Sequence, residues 1–323
     1  MPGGGGKLKE WVNHQMKNWQ RMILKLASSP RIDMKRDYKL ARMLQQAVSP
    51  EINKPFQVID KVIRFDDSDY SIPVRAFFPD DERKPGALIF FHGGGWVIGD
   101  IGSYTPACVE LANETGMAVF SVDYRLAPEN PYPSGLYDCF YATAALMENL
   151  DWIGVEEGDD IVLIGDSAGG NLAAVVSMML RDRGRPLPKK QILLYPATYW
   201  DHSEESPYAS VRENGNDFGL TMKKLNEYME LYVPDPEMRK DPYISPLMAK
   251  DMQGLPDTLI ITAELDPLRD EGEAYGEALR AAGSRVRIVR IHDAVHGFMT
   301  HPKLDDSLEQ AYGEIRKFLG ING

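Results

Sequence analysis

The sequence predicts an α/β fold in which a mostly parallel central sheet is flanked by helices and covered by a helical cap. Three observations predict it. From residue 56 onward, short β-branched apolar runs alternate with helical patterns. The first two runs, residues 58–65 and 71–78, are joined by the polar turn 66–69 and predict an antiparallel pair. Residues 198–256 contain no such run and are too long for a simple crossover, which predicts an inserted cap.

The remaining apolar runs follow in the order that a parallel sheet requires. Helix-like stretches separate most of them, as right-handed crossovers between parallel strands demand. The predicted strands are residues 87–91, 118–122, 161–165, 191–195, 258–263 and 286–291.

The same patterns divide the chain into four segments. Residues 1–55 predict an N-terminal helical cap segment, and 56–197 the first part of the core. Residues 198–256 predict the cap insertion, which includes a helix-like run at 221–232, and 257–323 predict the second part of the core. A chain of 323 residues with 43% hydrophobic content can bury one full core of this kind.

Two helical patterns occupy the N-terminal segment, at residues 8–26 and 34–48, and each is ended by a proline. The first is basic and carries tryptophans, so a position on a membrane surface is one interpretation. Packing over the body of the protein is the interpretation that we favour.

Charge is divided unevenly between the start of the chain and its remainder. Residues 1–50 hold ten Lys or Arg against three Asp or Glu, a net +7, while the whole chain carries −12, so the remainder carries −19. A body this acidic does not suit the phosphate backbone of nucleic acid. The sequence therefore predicts no nucleic-acid partner.

Cysteine content and hydropathy predict a cytoplasmic location. Cys108 and Cys139 are too few for a disulfide framework and lack the spacing of metal ligands. No signal peptide is evident, because lysines and a glutamate interrupt the start of the chain. The longest uncharged apolar run, residues 172–180, is far shorter than the ~18 residues that span a bilayer, which predicts no stable membrane insertion.

The most informative motif is Gly165-Asp-Ser167-Ala-Gly169, between a β-branched run and a helical pattern. A sharp strand-turn-helix of this kind presents a serine hydroxyl at its tip, beside the partial positive charge of the helix N-terminus. The flanking glycines are needed because side chains there would collide with the neighbouring strand and helix. The motif predicts Ser167 as a nucleophile.

A serine nucleophile needs an imidazole base and a carboxylate that orients it. His296 follows the last predicted strand, which predicts it as the base. Asp266 follows the preceding strand and is the predicted acid, with Glu264 and Asp270 as rivals. Asp266 also precedes Pro267, which predicts that it caps the next helix with proline at the first helical position.

The oxyanion that forms during such chemistry needs main-chain N–H donors. His92-Gly-Gly-Gly-Trp follows the strand at 87–91, and the glycines let backbone N–H groups approach a substrate without side chains between them. A phosphate-binding loop is the alternative, but the Gly-Lys-Ser/Thr ending is missing. The predicted oxyanion donors are Gly93, Gly94, Gly95 and Ala168. We expect His92 to order the loop rather than act as a base.

Together these motifs resemble the hormone-sensitive-lipase family of α/β-hydrolases, in particular its microbial carboxylesterases. The resemblance spans residues 92–298 and rests on His-Gly-Gly-Gly-Trp at 92–96, Tyr-Arg-Leu-Ala-Pro-Glu at 124–129, Gly-Asp-Ser-Ala-Gly-Gly-Asn at 165–171, Asp-Pro-Leu-Arg-Asp-Glu at 266–271 and His-Gly-Phe at 296–298.

The resemblance implies a catalytic triad of Ser167, Asp266 and His296 under a helical cap. It implies hydrolysis of a small-molecule ester through an acyl-enzyme, with no cofactor and no metal, and it allows a homodimer. Two alternatives stay open: a lactone or amide hydrolase with the same triad, and a ligand-binding protein similar to the gibberellin receptors. Those receptors lack the catalytic histidine, whereas His296 is present here.

Substrate choice depends on the parts of the chain that carry no motif. Four residues are predicted to line the substrate pocket: Trp96, Tyr199, Phe218 and Met222. Because the pocket is covered, we expect short- to medium-chain acyl groups, from acetyl to hexanoyl.

Overall fold

In the part of the chain that the structure describes, eight strands form one central sheet. The computed structural model describes residues 33–48, 56–64, 70–156, 160–300 and 306–321. The strands lie in the order β1-β2-β4-β3-β5-β6-β7-β8. They are β1 (Gln57–Arg64), β2 (Ser71–Phe78), β3 (Ala87–Phe91), β4 (Ala118–Val122), β5 (Ile161–Asp166), β6 (Lys190–Leu194), β7 (Asp257–Leu265) and β8 (Val286–Val295).

The strand directions confirm the predicted topology. β1 and β2 form an antiparallel pair, and β2 joins β4 in the antiparallel direction. All neighbours from β4 to β8 are parallel. The carboxyl ends of these six strands therefore meet at one edge of the sheet, where ligands of open α/β sheets bind.

Helices cover both faces of the sheet. Apolar residues alternate along β3, so that Ile89 and Phe90 pack with helices on opposite faces of the sheet. The helices on the Ile89 face are α3 (Ser134–Glu148), α5 (Ala168–Asp182) and α8 (Arg269–Ala281), and those on the Phe90 face are α2 (Ile101–Thr115) and α9 (Ser307–Leu319). None of the helices among the described residues has both the length and the apolar composition needed to cross a membrane. The α-helices are α1 (Met34–Val48), α2 (Ile101–Thr115), α3 (Ser134–Glu148), α4 (Leu150–Ile153), α5 (Ala168–Asp182), α6 (Ala209–Asn214), α7 (Met222–Tyr232), α8 (Arg269–Ala281) and α9 (Ser307–Leu319).

Three predicted strands have the observed bounds, and the other five differ at one or both ends. The largest differences are at β7 and β8, which extend to Leu265 and Val295 instead of ending at residues 263 and 291. They extend because Leu265 pairs with Val295 after a register shift next to Ala263. As a result, Asp266 and His296 come directly after the two strand ends rather than within longer loops.

Helices α1 and α7, which lie in the two segments predicted to form the cap, pack against each other. The Met34 N–H at the start of α1 donates to the buried Glu227 carboxylate of α7 at 2.9 Å. Both helices match predicted helical patterns, with Thr221 as the N-cap of α7. The predicted helix at 8–26 and the turn at 66–69 lie outside the described residues.

Candidate active site

Ser167 lies at the tip of a strained turn between β5 and α5. Its backbone φ is +54°, a conformation that residues other than glycine rarely adopt. A Cβ on Gly165 would lie 2.3 Å from the Gly169 carbonyl oxygen, and one on Gly169 would lie 1.9 Å from the Phe91 carbonyl oxygen. Glycine is therefore required on both sides of Ser167, for the steric reason that the motif indicated.

The structure brings Ser167, His296 and Asp266 together, although they are far apart in the sequence. His296 Nε2 lies 2.8 Å from Ser167 Oγ, and His296 Nδ1 lies 2.7 Å from Asp266 Oδ2. The Asp266 carboxylate is fully buried and can only accept, so it selects the tautomer with the proton on Nδ1. Nε2 then accepts the serine hydroxyl proton, which is the arrangement that general-base catalysis requires.

Asp266 has a second local contact, which differs from the predicted helix cap. Helix α8 begins at Arg269, so the prediction that Asp266 caps it with Pro267 as the first helical residue is wrong. Instead, Asp266 Oδ1 accepts the Leu268 N–H at 2.9 Å, which leaves Oδ2 for His296. This turn fixes the carboxylate in place before the helix begins.

The rival carboxylates have other partners. Glu264 accepts the Asp293 N–H at 2.8 Å. Asp270 pairs with Arg269 and accepts the Ser210 N–H at 2.8 Å, which ties α8 to α6. The carboxylate that contacts His296 is the one chosen from the sequence.

The glycine turn (residues 93–98) follows β3 and passes beside Ser167. Gly94, Gly95 and Trp96 all have positive φ, at +110°, +60° and +59°. Among the described residues, none accepts a hydrogen bond from the N–H groups of Gly94 and Gly95. Ala168 is the first residue of α5, and the N–H groups of a first helical turn have no partner within the helix.

Gly93 does not share this arrangement with the other predicted donors. Its N–H donates to Asp166 Oδ1 at 2.7 Å, so it is not available to a substrate oxygen. A Cβ at this position would also lie 2.5 Å from the Asp166 carboxylate. We therefore correct the predicted set of oxyanion donors by removing Gly93.

His92 contacts the glycine turn and helps to order it, as expected. It is fully buried, its Nδ1 lies 2.8 Å from the Gly93 carbonyl oxygen, and its ring stacks on Tyr124 at 4.3 Å. Burial lowers the pKa of His92 to about 4, against the opposing effect of the Gly93 carbonyl. With so low a pKa this imidazole is a weak base, and its burial keeps it away from the protons of a substrate or of water.

Asp166 is a part of the site that sequence reasoning missed. Its buried carboxylate accepts the Gly93 N–H, the Tyr104 hydroxyl at 3.1 Å and the Tyr195 hydroxyl at 3.5 Å. The Tyr195 oxygen in turn accepts the Met299 N–H at 3.2 Å. Asp166 therefore links the glycine turn to the loop that follows His296.

Burial raises the pKa of Asp166 from 3.8 to about 6, with the Gly93 N–H opposing that rise. Between these values the folded protein keeps a proton that the unfolded chain has lost, so stability falls as pH rises from about 4 to about 6. We expect the free energy of unfolding of the wild type, relative to Asp166→Asn, to fall by about 3 kcal/mol over that window. Urea unfolding of both proteins from pH 4 to 7.5 measures the difference, and a difference independent of pH contradicts it.

Comparison with known proteins places the chain in a family. Residues 88–300, well over half of the chain, match a family model whose description is the alpha/beta hydrolase fold. The chain belongs to the α/β-hydrolase family. Its relatives place it in the hormone-sensitive-lipase-like branch.

Among its relatives, the carboxylic ester hydrolase LipN of Mycobacterium tuberculosis is 39% identical over 71% of this chain and 61% of that protein. An arylesterase of Saccharolobus solfataricus is 34% identical over 77% of this chain and 80% of that protein. A solved hyperthermophilic esterase from the archaeon Pyrobaculum calidifontis is similar with a TM-score of 0.85 and 36% identity, over 94% of this chain and 97% of that one.

The predicted pocket residues of this α/β-hydrolase have different packing partners. Phe218 packs against Leu265 and Val295, the residues that precede Asp266 and His296. Tyr199 contacts Tyr208 edge to face, and Met222 is half-buried at the start of α7.

Trp96 packs against helix α7. Its ring is buried and stacks flat on Tyr232 of α7, with ring centres 4.5 Å apart. The indole therefore joins the glycine turn to α7, and its place in the substrate pocket stays a prediction. Among the described residues, no group of three His, Cys, Asp or Glu side chains is arranged to hold a metal ion.

Proposed function

We propose that this α/β-hydrolase is a serine carboxylesterase that hydrolyses short- to medium-chain acyl esters through an acyl-enzyme. The observation that carries the proposal is the unbroken series of contacts from Asp266 through His296 to Ser167, at 2.7 and 2.8 Å. The names of the relatives, a carboxylic ester hydrolase and an arylesterase, support the same class of reaction.

The reaction begins when Ser167 Oγ attacks the ester carbonyl carbon and His296 Nε2 takes the hydroxyl proton. The negative charge that develops on the carbonyl oxygen is stabilised by the N–H groups of Gly94, Gly95 and Ala168. Asp266 stabilises the imidazolium through Nδ1–H. When the tetrahedral intermediate collapses, the bond to the alkoxy oxygen breaks and His296 returns its proton to the leaving alcohol.

The second half of the reaction repeats these steps with water. His296 takes a proton from a water molecule, whose oxygen attacks the acyl carbon of the ester formed on Ser167. Collapse of the second intermediate returns the proton to Ser167 Oγ and releases the carboxylic acid. The reaction balances with one water molecule consumed for each ester, and Ser167 and His296 return to their starting protonation.

Packing supports short to medium acyl groups. The Tyr228 ring of α7 lies so close to Gly95 that a Cβ there would be 2.4 Å from it. The next residue, Trp96, stacks on Tyr232, and Phe218 packs on Leu265 and Val295, the residues that precede Asp266 and His296. A relative from Pseudomonas putida, 35% identical, is named an ethyl acetate hydrolase, which agrees with a small acyl group.

The experiment that tests this proposal is a profile of turnover over p-nitrophenyl esters from acetyl to palmitoyl. We expect kcat/KM to be highest between acetyl and hexanoyl and to fall at least tenfold by dodecanoyl. A lactone and an anilide of matched acyl group serve as controls for the alternative hydrolases, and we expect slower turnover of both. Activity that rises toward long-chain triglycerides, or that favours the lactone or anilide, contradicts the proposal.

We also propose a cytoplasmic location. Its support is that Cys108 and Cys139 are both buried free thiols. A homodimer stays a prediction from the family resemblance.

A further inference from the structure

The glycine turn needs support from outside itself. Gly94, Gly95 and Trp96 are three consecutive residues with positive φ, and a tryptophan in that conformation is strained. Within the turn, the Gly94 carbonyl accepts the N–H groups of Val97 and Ile98, at 3.1 and 2.9 Å. A strained turn persists only when surrounding contacts determine its shape.

Arg42 of helix α1 supplies such contacts from a distant part of the chain. Its Nε donates to the Val97 carbonyl at 2.7 Å, and its Nη2 donates to the Ala127 carbonyl at 2.9 Å. The Ala127 N–H in turn donates to the Trp96 carbonyl at 2.9 Å. One guanidinium therefore joins the end of the glycine turn to the loop that supports it.

The Arg42 guanidinium is itself held in place. Glu129 accepts from Nη1 at 3.1 Å and from Nη2 at 2.9 Å, a bidentate ion pair, and the guanidinium carbon lies 5.0 Å from the centre of the Tyr38 ring. The side chain is only 25% exposed. Because the planar guanidinium fork matches the two oxygens of a carboxylate, these contacts form a rigid support.

Helix α1 connects this support to α7 of the cap insertion. Its first N–H donates to Glu227 of α7, and α7 also places Tyr228 on Gly95 and Tyr232 on Trp96. The turn is thus held by the cap insertion on one side and by the N-terminal segment on the other.

We propose that Arg42 is a positioning residue for ester hydrolysis, which keeps the N–H groups of Gly94 and Gly95 directed at the oxyanion. The inference rests on the proposed function, because it needs those N–H groups to act on the substrate. Arg42 acts through the Val97 and Ala127 carbonyls and touches no reacting atom. A small rotation of the turn would redirect its donors, and such donors act only when they are already aligned with the oxyanion.

The test compares Arg42→Ala and Arg42→Lys with the wild type and with Arg36→Ala. Arg36 lies on the same helix, is exposed and pairs with its neighbour Asp37, so its loss leaves the turn untouched. Two quantities are measured at a temperature where each protein is folded: kcat and KM for p-nitrophenyl acetate, and the inhibition constant of an alkyl trifluoromethyl ketone. That ketone adds to a nucleophilic serine and places an oxyanion in the hole.

We expect kcat of Arg42→Ala to fall about tenfold or more, with KM changed less than threefold. The ketone should bind more weakly by a similar factor. Added guanidinium ion should restore part of kcat in Arg42→Ala and none in Arg36→Ala. Arg42→Lys should lose kcat as well, because an ammonium cannot reproduce the planar fork that joins both carbonyls and Glu129.

A purely structural role for Arg42 predicts a lower melting temperature with unchanged kcat and ketone affinity in the folded variant, and that result overturns the inference. If Arg42→Ala does not fold, Arg42→Lys decides, and a kcat within threefold of the wild type overturns it. Failure of the proposed function is distinguishable, since it would leave the wild type and Arg36→Ala without ester hydrolysis that depends on Ser167.

Discussion

Replacing Ser167 with alanine is expected to lower kcat for p-nitrophenyl acetate by about 10⁴- to 10⁶-fold. The variant loses the hydroxyl oxygen that the proposed acyl-enzyme requires, while the proposed oxyanion donors stay. Stopped-assay kinetics with purified wild type and Ser167→Ala measure the loss.

Alanine can adopt the backbone conformation of Ser167 as readily as serine does, so we expect the variant to keep the fold. Unchanged circular dichroism and a melting temperature close to that of the wild type are the controls. Residual activity within tenfold of the wild type would show that another residue is the nucleophile.

Replacing Asp266 with asparagine is expected to lower kcat by about 10⁴-fold, because an amide in place of the carboxylate no longer selects the Nδ1–H tautomer of His296 or stabilises its charge. The matched control is Asp270→Asn, four residues further along. Asp270 pairs with Arg269 and Ser210 instead of His296, so its loss should change kcat less than tenfold while lowering stability. The same assay with both variants separates the two carboxylates.

An equal loss of kcat in the two aspartate variants, or a larger loss in Asp270→Asn, would contradict the assignment. The comparison is sharp because both carboxylates lie within the same short stretch after β7, and both were candidates from the sequence.

The fold could be predicted because it depends on local patterns that repeat. β-branched runs, helical spacing and the missing strand pattern at 198–256 predict the order of the elements, and the observed sheet has that order. The ends of β7 and β8 could not be predicted, since the pairing of Leu265 with Val295 depends on a register shift between two strands. No single-strand pattern contains that information.

The three residues Ser167, Asp266 and His296 were predictable because each follows a strand whose position in the sheet is fixed by the fold. Asp166 was missed because its role comes from three contacts with distant parts of the chain, at Gly93, Tyr104 and Tyr195. A charged residue at the end of a fully buried strand was the available signal. The same contact explains why Gly93 was wrongly placed among the oxyanion donors.

Packing partners are the least predictable feature. The pattern around Trp96 is consistent with either a pocket wall or a buried contact, and its stack on Tyr232 of α7 could not be predicted from that pattern. Arg42 could not be connected to Val97 from the sequence for the same reason, because they are 55 residues apart and meet through the docking of α1.

The most direct test of the central claim, that His296 activates Ser167 as a nucleophile, is covalent labelling with a fluorophosphonate followed by peptide mass spectrometry. The account predicts one adduct in the wild type, on the peptide that contains Ser167, no adduct in Ser167→Ala, and much slower labelling in His296→Ala. An adduct on a different residue, or labelling of Ser167 that proceeds at the same rate without His296, would contradict it.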